Sequence, residues 1–160
     1  MAYTTTGTIT GQNVLERAIT VMDELDDSGK YRHADTKEYE DRTRPILNIL
    51  INELYPYSDT FPKWQEWESG RRPVLMPLGS LYEEIDLDDY CAGTVLPYGL
   101  VAHLLLAEDP STAGFAQQRY EELKAELRSG VGKRAASEDI EDVYGPKGGI
   151  HPYNEHSRWF

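Results

Sequence analysis

Residues 95–107 read VLPYGLVAHLLLA, a run with one clearly polar side chain, His103. Charge flanks it on both sides, LDDY at 87–90 and EDP at 108–110. A helix crossing a bilayer needs about 20 apolar residues, so the run is too short to span a membrane. It predicts a helix buried on most sides, capped by Asp86, with Asp88 and Asp89 in the first turn where the positive end of the helix dipole favours anions. Pro97 and Gly99 predict a bend in it. A helix that is apolar nearly all round needs neighbours on every side. That need sets the expected fold class: mainly α, with a four-helix bundle-like core.

The neighbours are legible on either side. Asp109-Pro110 is a cap followed by a first-turn proline, and Ala116, Tyr120, Leu123 and Leu127 then recur at helical spacing until Gly130 and Gly132. The turn at Glu108-Asp109 is tight, which predicts that the third and fourth helices form an antiparallel hairpin. Upstream, Asp35 opens a helix carrying Tyr39, Ile46, Leu50 and Leu54 on one face, and Pro45 predicts a kink or break near Arg44. Further upstream, Val14, Ala18, Met22 and Leu25 form a stripe that Asn13 caps and Asp26-Asp27-Ser28-Gly29 stops. The expected helices are 13–27, 36–55, 87–108 and 110–129, with the third the most buried. Together they form a helical domain over 13–132.

Three segments fall outside that pattern. Residues 56–85 hold Pro56, Pro62, Pro73 and Pro77 together with Trp64 and Trp67, and a loop of that length in a compact domain needs a role. Extended runs at 61–67 and 73–78 around Glu68-Ser69-Gly70-Arg71 predict a projecting hairpin or loop insertion, with proline in both arms marking an edge. Residues 1–12 are Thr/Gly-rich and predict an N-terminal arm. Residues 133–160 lack a helical period yet carry Tyr144, Ile150, Tyr153, Trp159 and Phe160, a density of apolar side chains foreign to a purely solvating tail. They predict an extended C-terminal docking arm.

The 160 residues carry 28 Asp+Glu against 16 Lys+Arg, a formal charge of −12. That balance disfavours nonspecific gripping of nucleic acid or an anionic membrane, although it leaves room for a local basic patch. One cysteine, Cys91, excludes an intramolecular disulfide and a thiolate metal site. The start of the chain has neither a basic nor an apolar segment of the kind a secretory signal carries.

Candidate chemistry is sparse. His151 and His156 stand five apart with Glu155 between them, and surface histidines in an arm explain them more simply than a metal site. His103 is expected in the core or an interface. Cys91 has Asp86, Asp88 and Asp89 nearby, which oppose a reactive thiolate, so it is expected as a packing residue. The acids Glu83, Glu84, Asp86, Asp88 and Asp89 lack calcium-loop spacing and fit a helix start. Asp23, Glu24, Asp26 and Asp27 sit at the unfavourable pole of the first helix and fit a solvated end. No glycine-rich phosphate loop or nucleophile elbow is present. No catalytic residue, metal or cofactor is therefore expected. The expected partner-binding residues are Trp64, Trp67, Arg71 and Arg72 in the insertion, a Trp/Arg tip of interface type, and Tyr144, Ile150, Tyr153, Trp159 and Phe160 in the arm.

The stretches LERAITVMDELDDSG, DTKEYEDRTRPILNILINELYPYS and LDDYCAGTVLPYGLVAHLLLAEDPSTAGFAQQRYEELKAEL, in that order, resemble the head-to-tail connector (portal adaptor, head-completion) proteins of tailed bacteriophages. The resemblance covers about residues 13–130 and is one of architecture and pattern, without a catalytic motif; the proline-rich insertion departs from it. It implies a non-enzymatic virion protein of the neck, made in the host cytoplasm. Such a protein forms a ring of usually twelve copies beneath the portal protein, meets a downstream neck or tail protein, and lets DNA pass through its channel without specific binding. A small acidic regulatory or DNA-mimic protein is the alternative, though one of those would more naturally lack two long arms, and an enzyme of unknown class is a third.

Overall fold

The computed structural model describes residues 9–24 and 27–129. They form a mainly helical core of four packed helices: α1 (Gly11–Met22), α2 (Lys37–Leu54), α3 (Leu96–Leu104) and α4 (Pro110–Ser129). No strand occurs among the described residues, and one isolated bridge joins Thr10 to Glu84. The expected helical core is present, with α3 at its centre: Leu96, Leu100, Val101 and Leu104 are all fully buried. Val14, Leu15 and Ile19 from α1, Leu47, Leu50 and Leu54 from α2, and Ala116, Tyr120 and Leu123 from α4 close around it.

Close approach makes this packing possible. A Cβ at Gly99 would stand 2.9 Å from the Tyr120 ring and 3.2 Å from Leu50, so the missing side chain lets α2 and α4 both reach α3. Tyr120 also shows that α4 folds back over α3 after the turn at 105–109. Asp109 caps α4, its Oδ1 accepting from the Ser111 and Thr112 N–H groups at 3.1 Å each.

The helix bounds differ from the expected ones for identifiable reasons. α1 begins at Gly11, capped by Thr10, while Asn13 is the reciprocal member of a capping box and not the cap itself. Ile9 is buried, so residues 9–12 of the expected N-terminal arm belong to the core; residues 1–8 lie outside the described residues. α1 stops at Met22 because Asp23 takes the left-handed conformation (φ 60°), and the N–H of Glu24 returns to the Ile19 carbonyl at 3.1 Å. An aspartate at that pole thus serves as the helix stop.

Of the kink or break expected near Arg44, the break is absent. α2 runs unbroken from Lys37 to Leu54, and its buried side chains on both sides of Pro45, Tyr39 and Thr43 before and Leu47 and Leu50 after, hold it in register. Proline leaves its mark on the third helix instead. The span expected as 87–108 is a wide-turned segment, Cys91–Val95 with i→i+5 bonding, followed by α3, which ends at Leu104. Pro97 sits in the first turn of α3, directly after that segment. An α-helical turn through Pro97 would bring its ring against the carbonyl four residues back, that of Gly93. That carbonyl accepts a hydrogen bond of 2.6 Å from the Arg17 guanidinium.

Leu104→Ala should lower stability by about 2–5 kcal/mol. Gly99→Ala should lower it by about 1–3 kcal/mol through overpacking, despite the better helix propensity of alanine. Urea unfolding followed by circular dichroism reads both, and a Gly99→Ala protein as stable as the parent would refute the close-approach account.

Candidate functional site

Of the hairpin or loop insertion expected at 56–85, the structure shows the loop, laid along the core as a strap. The arms at 61–67 and 73–78 have no ladder between them; short 3₁₀ turns occupy Tyr55–Tyr57, Trp64–Glu66 and Glu68–Gly70. Asn48 and Asn52 supply the physical reason. Four residues apart, they share one face of α2, and each side-chain amide offers one acceptor and a pair of donors. Asn52 Oδ1 accepts from the Leu75 N–H at 2.8 Å while its Nδ2 donates to the Leu75 carbonyl at 3.3 Å. Asn48 does the same with Leu78, at 2.8 and 3.4 Å. The extended 73–78 run therefore pairs with a helix face where the sequence pattern suggested a second strand. Leu78 is buried by this pairing and Leu75 half-buried.

Both ends of the strap are tied down. At its far end the Gln12 N–H donates to the Leu81 carbonyl at 2.8 Å and the Ile85 N–H to the Ile9 carbonyl at 2.9 Å. The strap thus satisfies a first-turn donor of α1 that a helix cannot satisfy internally. At its near end Phe61 stacks edge-on between Tyr55 and Trp67, with ring centroids 4.9 and 5.9 Å apart. Asp88 is the hub there: its Oδ1 accepts from the Cys91 N–H at 2.9 Å and its Oδ2 from the Asp59 N–H at 3.1 Å. Asp88, not the expected Asp86, therefore caps the third helical region. Burial pushes its carboxyl pKa up, but the hydrogen bonds from Cys91, Ser58 and Asp59 outweigh that and hold it below the ordinary carboxylate value.

The expected site residues separate into distinct environments. Trp64, Arg71 and Arg72 are exposed on the outer part of the strap, Trp64 at 72%. Trp67 is half-buried, its indole N–H donating to the Pro62 carbonyl at 3.1 Å, so it braces the strap from within. Tyr144, Ile150, Tyr153, Trp159 and Phe160, with His151 and His156, lie outside the described residues. Cys91 is fully buried, as expected of a packing residue. His103 is exposed on α3, so of the two placements expected of it, core or interface, the core is excluded.

Sequence reasoning missed Val74 and Met76, exposed at 73% and 87% on the 73–78 run, and Ile49, exposed at 68% on α2. The run PVLMPL is apolar throughout, so nothing in its pattern said that Leu75 and Leu78 turn inward while Val74 and Met76 turn outward. A groove of about 320 Å³ runs beside this stretch, lined by Ile51, Leu75 and Ile85, with Glu83, Glu84 and Asp86 along one side. No ion pair engages those three acids among the described residues; Glu83 accepts from the Gly79 N–H at 3.1 Å. Among the described residues no group of three or more His, Cys, Asp or Glu side chains is placed to hold a metal. No helix there is long and apolar enough to cross a membrane. Comparison of the chain with family models, curated proteins and solved structures finds no match.

Asp88→Ala should destabilise the fold by about 0.5–2 kcal/mol at neutral pH, the range of a lost helix cap. The depressed carboxyl stabilises the folded state above the unfolded-chain value near 4 and loses that contribution as pH falls through its lower folded value. Urea titrations should therefore show the gap between parent and variant narrowing as the pH falls below the unfolded-chain value near 4. A gap unchanged across that interval would remove Asp88 as the hub.

Proposed function

We propose that the chain is a structural virion subunit that assembles as a ring beneath a portal, joining head to tail and extending the DNA channel. The observation that carries this reading is apolar surface displayed on a core that is already closed. Ile49, Trp64, Val74, Met76, Leu106 and Phe115 are each more than 60% exposed while the helical interior is complete without them. Side chains of that size left outside a finished core are what association surfaces use.

Three further features support it. The order of elements, with the acidic start of the third helical region followed by α3, the 105–109 turn and α4, is the pattern on which the connector resemblance rests. The −12 charge suits a wall past which DNA slides, because like charge keeps the polymer from sticking. The segment 133–160 places five large apolar or aromatic side chains beyond the helical domain, and each gains about 1.5–3 kcal/mol on full burial. A neighbouring copy, the portal and a downstream neck protein are the surfaces a ring subunit would meet.

Mass photometry of the purified chain, alone and with its portal, tests the proposal. A ring-sized species, alone or on the portal, is the expected result. Deleting residues 144–160 should leave a folded, soluble core that no longer joins the ring. A monomer that ignores the portal and competes with duplex DNA for a DNA-binding protein would replace the connector with a DNA mimic.

A further inference from the structure

The groove beside the strap has features that the fold itself does not use. Leu75 and Leu78 give their main-chain groups to Asn52 and Asn48, whereas Val74 and Met76 make no main-chain hydrogen bond among the described residues. An extended run with free N–H and C=O groups is an edge that can accept another extended segment. The side chains on that edge are apolar and the groove floor is Ile51, Leu75 and Ile85, while Glu84 and Asp86 leave unpaired negative charge along the other side. An occupant matching all of this is extended, carries large apolar side chains and bears positive charge.

The chain contains such a segment outside the described residues. Residues 145–160, GPKGGIHPYNEHSRWF, hold Ile150, Tyr153, Trp159 and Phe160 with Lys147 and Arg158 against the single acid Glu155. Its prolines and glycines deny it a helix but suit an extended course. In a chain with net charge −12 this stretch is one of the few with a positive balance, so its charge complements the acidic side of the groove. We infer that the groove between residues 74–78 and 83–86 receives residues 145–160 of a neighbouring copy, the aromatic end seated on the apolar floor and Arg158 facing Glu84 and Asp86. The inference rests on the ring reading, which supplies the neighbour, and it names the surface through which adjacent copies hold each other.

The test uses the full chain carrying a photoreactive benzophenone side chain at Met76, with ¹⁵N-labelled and unlabelled copies mixed so that mass spectrometry separates crosslinks between copies from those within one. The expected result is a crosslink between copies that maps to residues 145–160, lost in Trp159→Ala/Phe160→Ala and reduced at least tenfold in Glu84→Lys/Asp86→Lys. Restoration by Arg158→Glu in the latter background would fix the charge pairing. A crosslink within one copy, one mapping to another segment, or none in an assembled ring would overturn the inference and leave the ring standing. Should the chain prove monomeric, the synthetic peptide of residues 145–160 is added in excess. Its capture at Met76 keeps the groove assignment and discards the ring, and its failure discards both.

Discussion

Burial of α3 requires every other element to come close to it, and closeness is set by side chains that are missing. Gly99 lets the Tyr120 ring and Leu50 approach where a methyl group would collide with them. Gly93 does the same on the opposite stretch, where a Cβ would stand 2.2 Å from the Arg17 guanidinium and 2.7 Å from Ile9. Between the two glycines lies Pro97, which cannot continue ordinary helical bonding through the turn before it. The wide turn at Cys91–Val95 and the Arg17 hydrogen bond to Gly93 resolve that conflict together. A long cationic side chain on α1 thereby donates to a carbonyl whose α-helical donor would have been the N–H that Pro97 lacks, and α1 is tied to the wide turn leading into α3 by polarity as well as by packing.

The same constraint explains which parts of the fold could be read from the sequence. A thirteen-residue apolar run admits little besides a buried helix, and periodic stripes named three partners for it. Where the reading slipped, the cause was a local signal with two physical outcomes. Asp23 can solvate a helix end or adopt the left-handed conformation that terminates it, and only packing of the neighbouring turn decides which. Pro45 and Pro97 are the same residue type in two helices; the first is held in an unbroken helix by buried neighbours on both sides, and the second forces a wider turn. The strap was illegible for a deeper reason: the prolines and apolar residues of 73–78 signal an extended chain but do not say what pairs with it. Asn48 and Asn52 look like ordinary polar positions on a helix until an extended segment lies beside them.

The strap links the core to the surface on which function is proposed. Asn48 and Asn52 hold it on α2, the Ile9 and Gln12 main chain holds its far end, and Asp88 ties its near end to the start of the third helical region. The ties at Leu75, Leu78, Leu81 and Ile85 satisfy buried or half-buried main-chain groups, so the strap cannot peel away there without exposing unpaired donors and acceptors. That fixity bears on association. An apolar edge on a floppy loop would lose ordering entropy on meeting a partner, whereas Val74 and Met76 are already held at defined positions by their neighbours' bonds to α2. The ordering cost then falls on whichever segment comes to the groove. In the proposed docking that segment is residues 145–160, so the subunits would fold first and join afterwards.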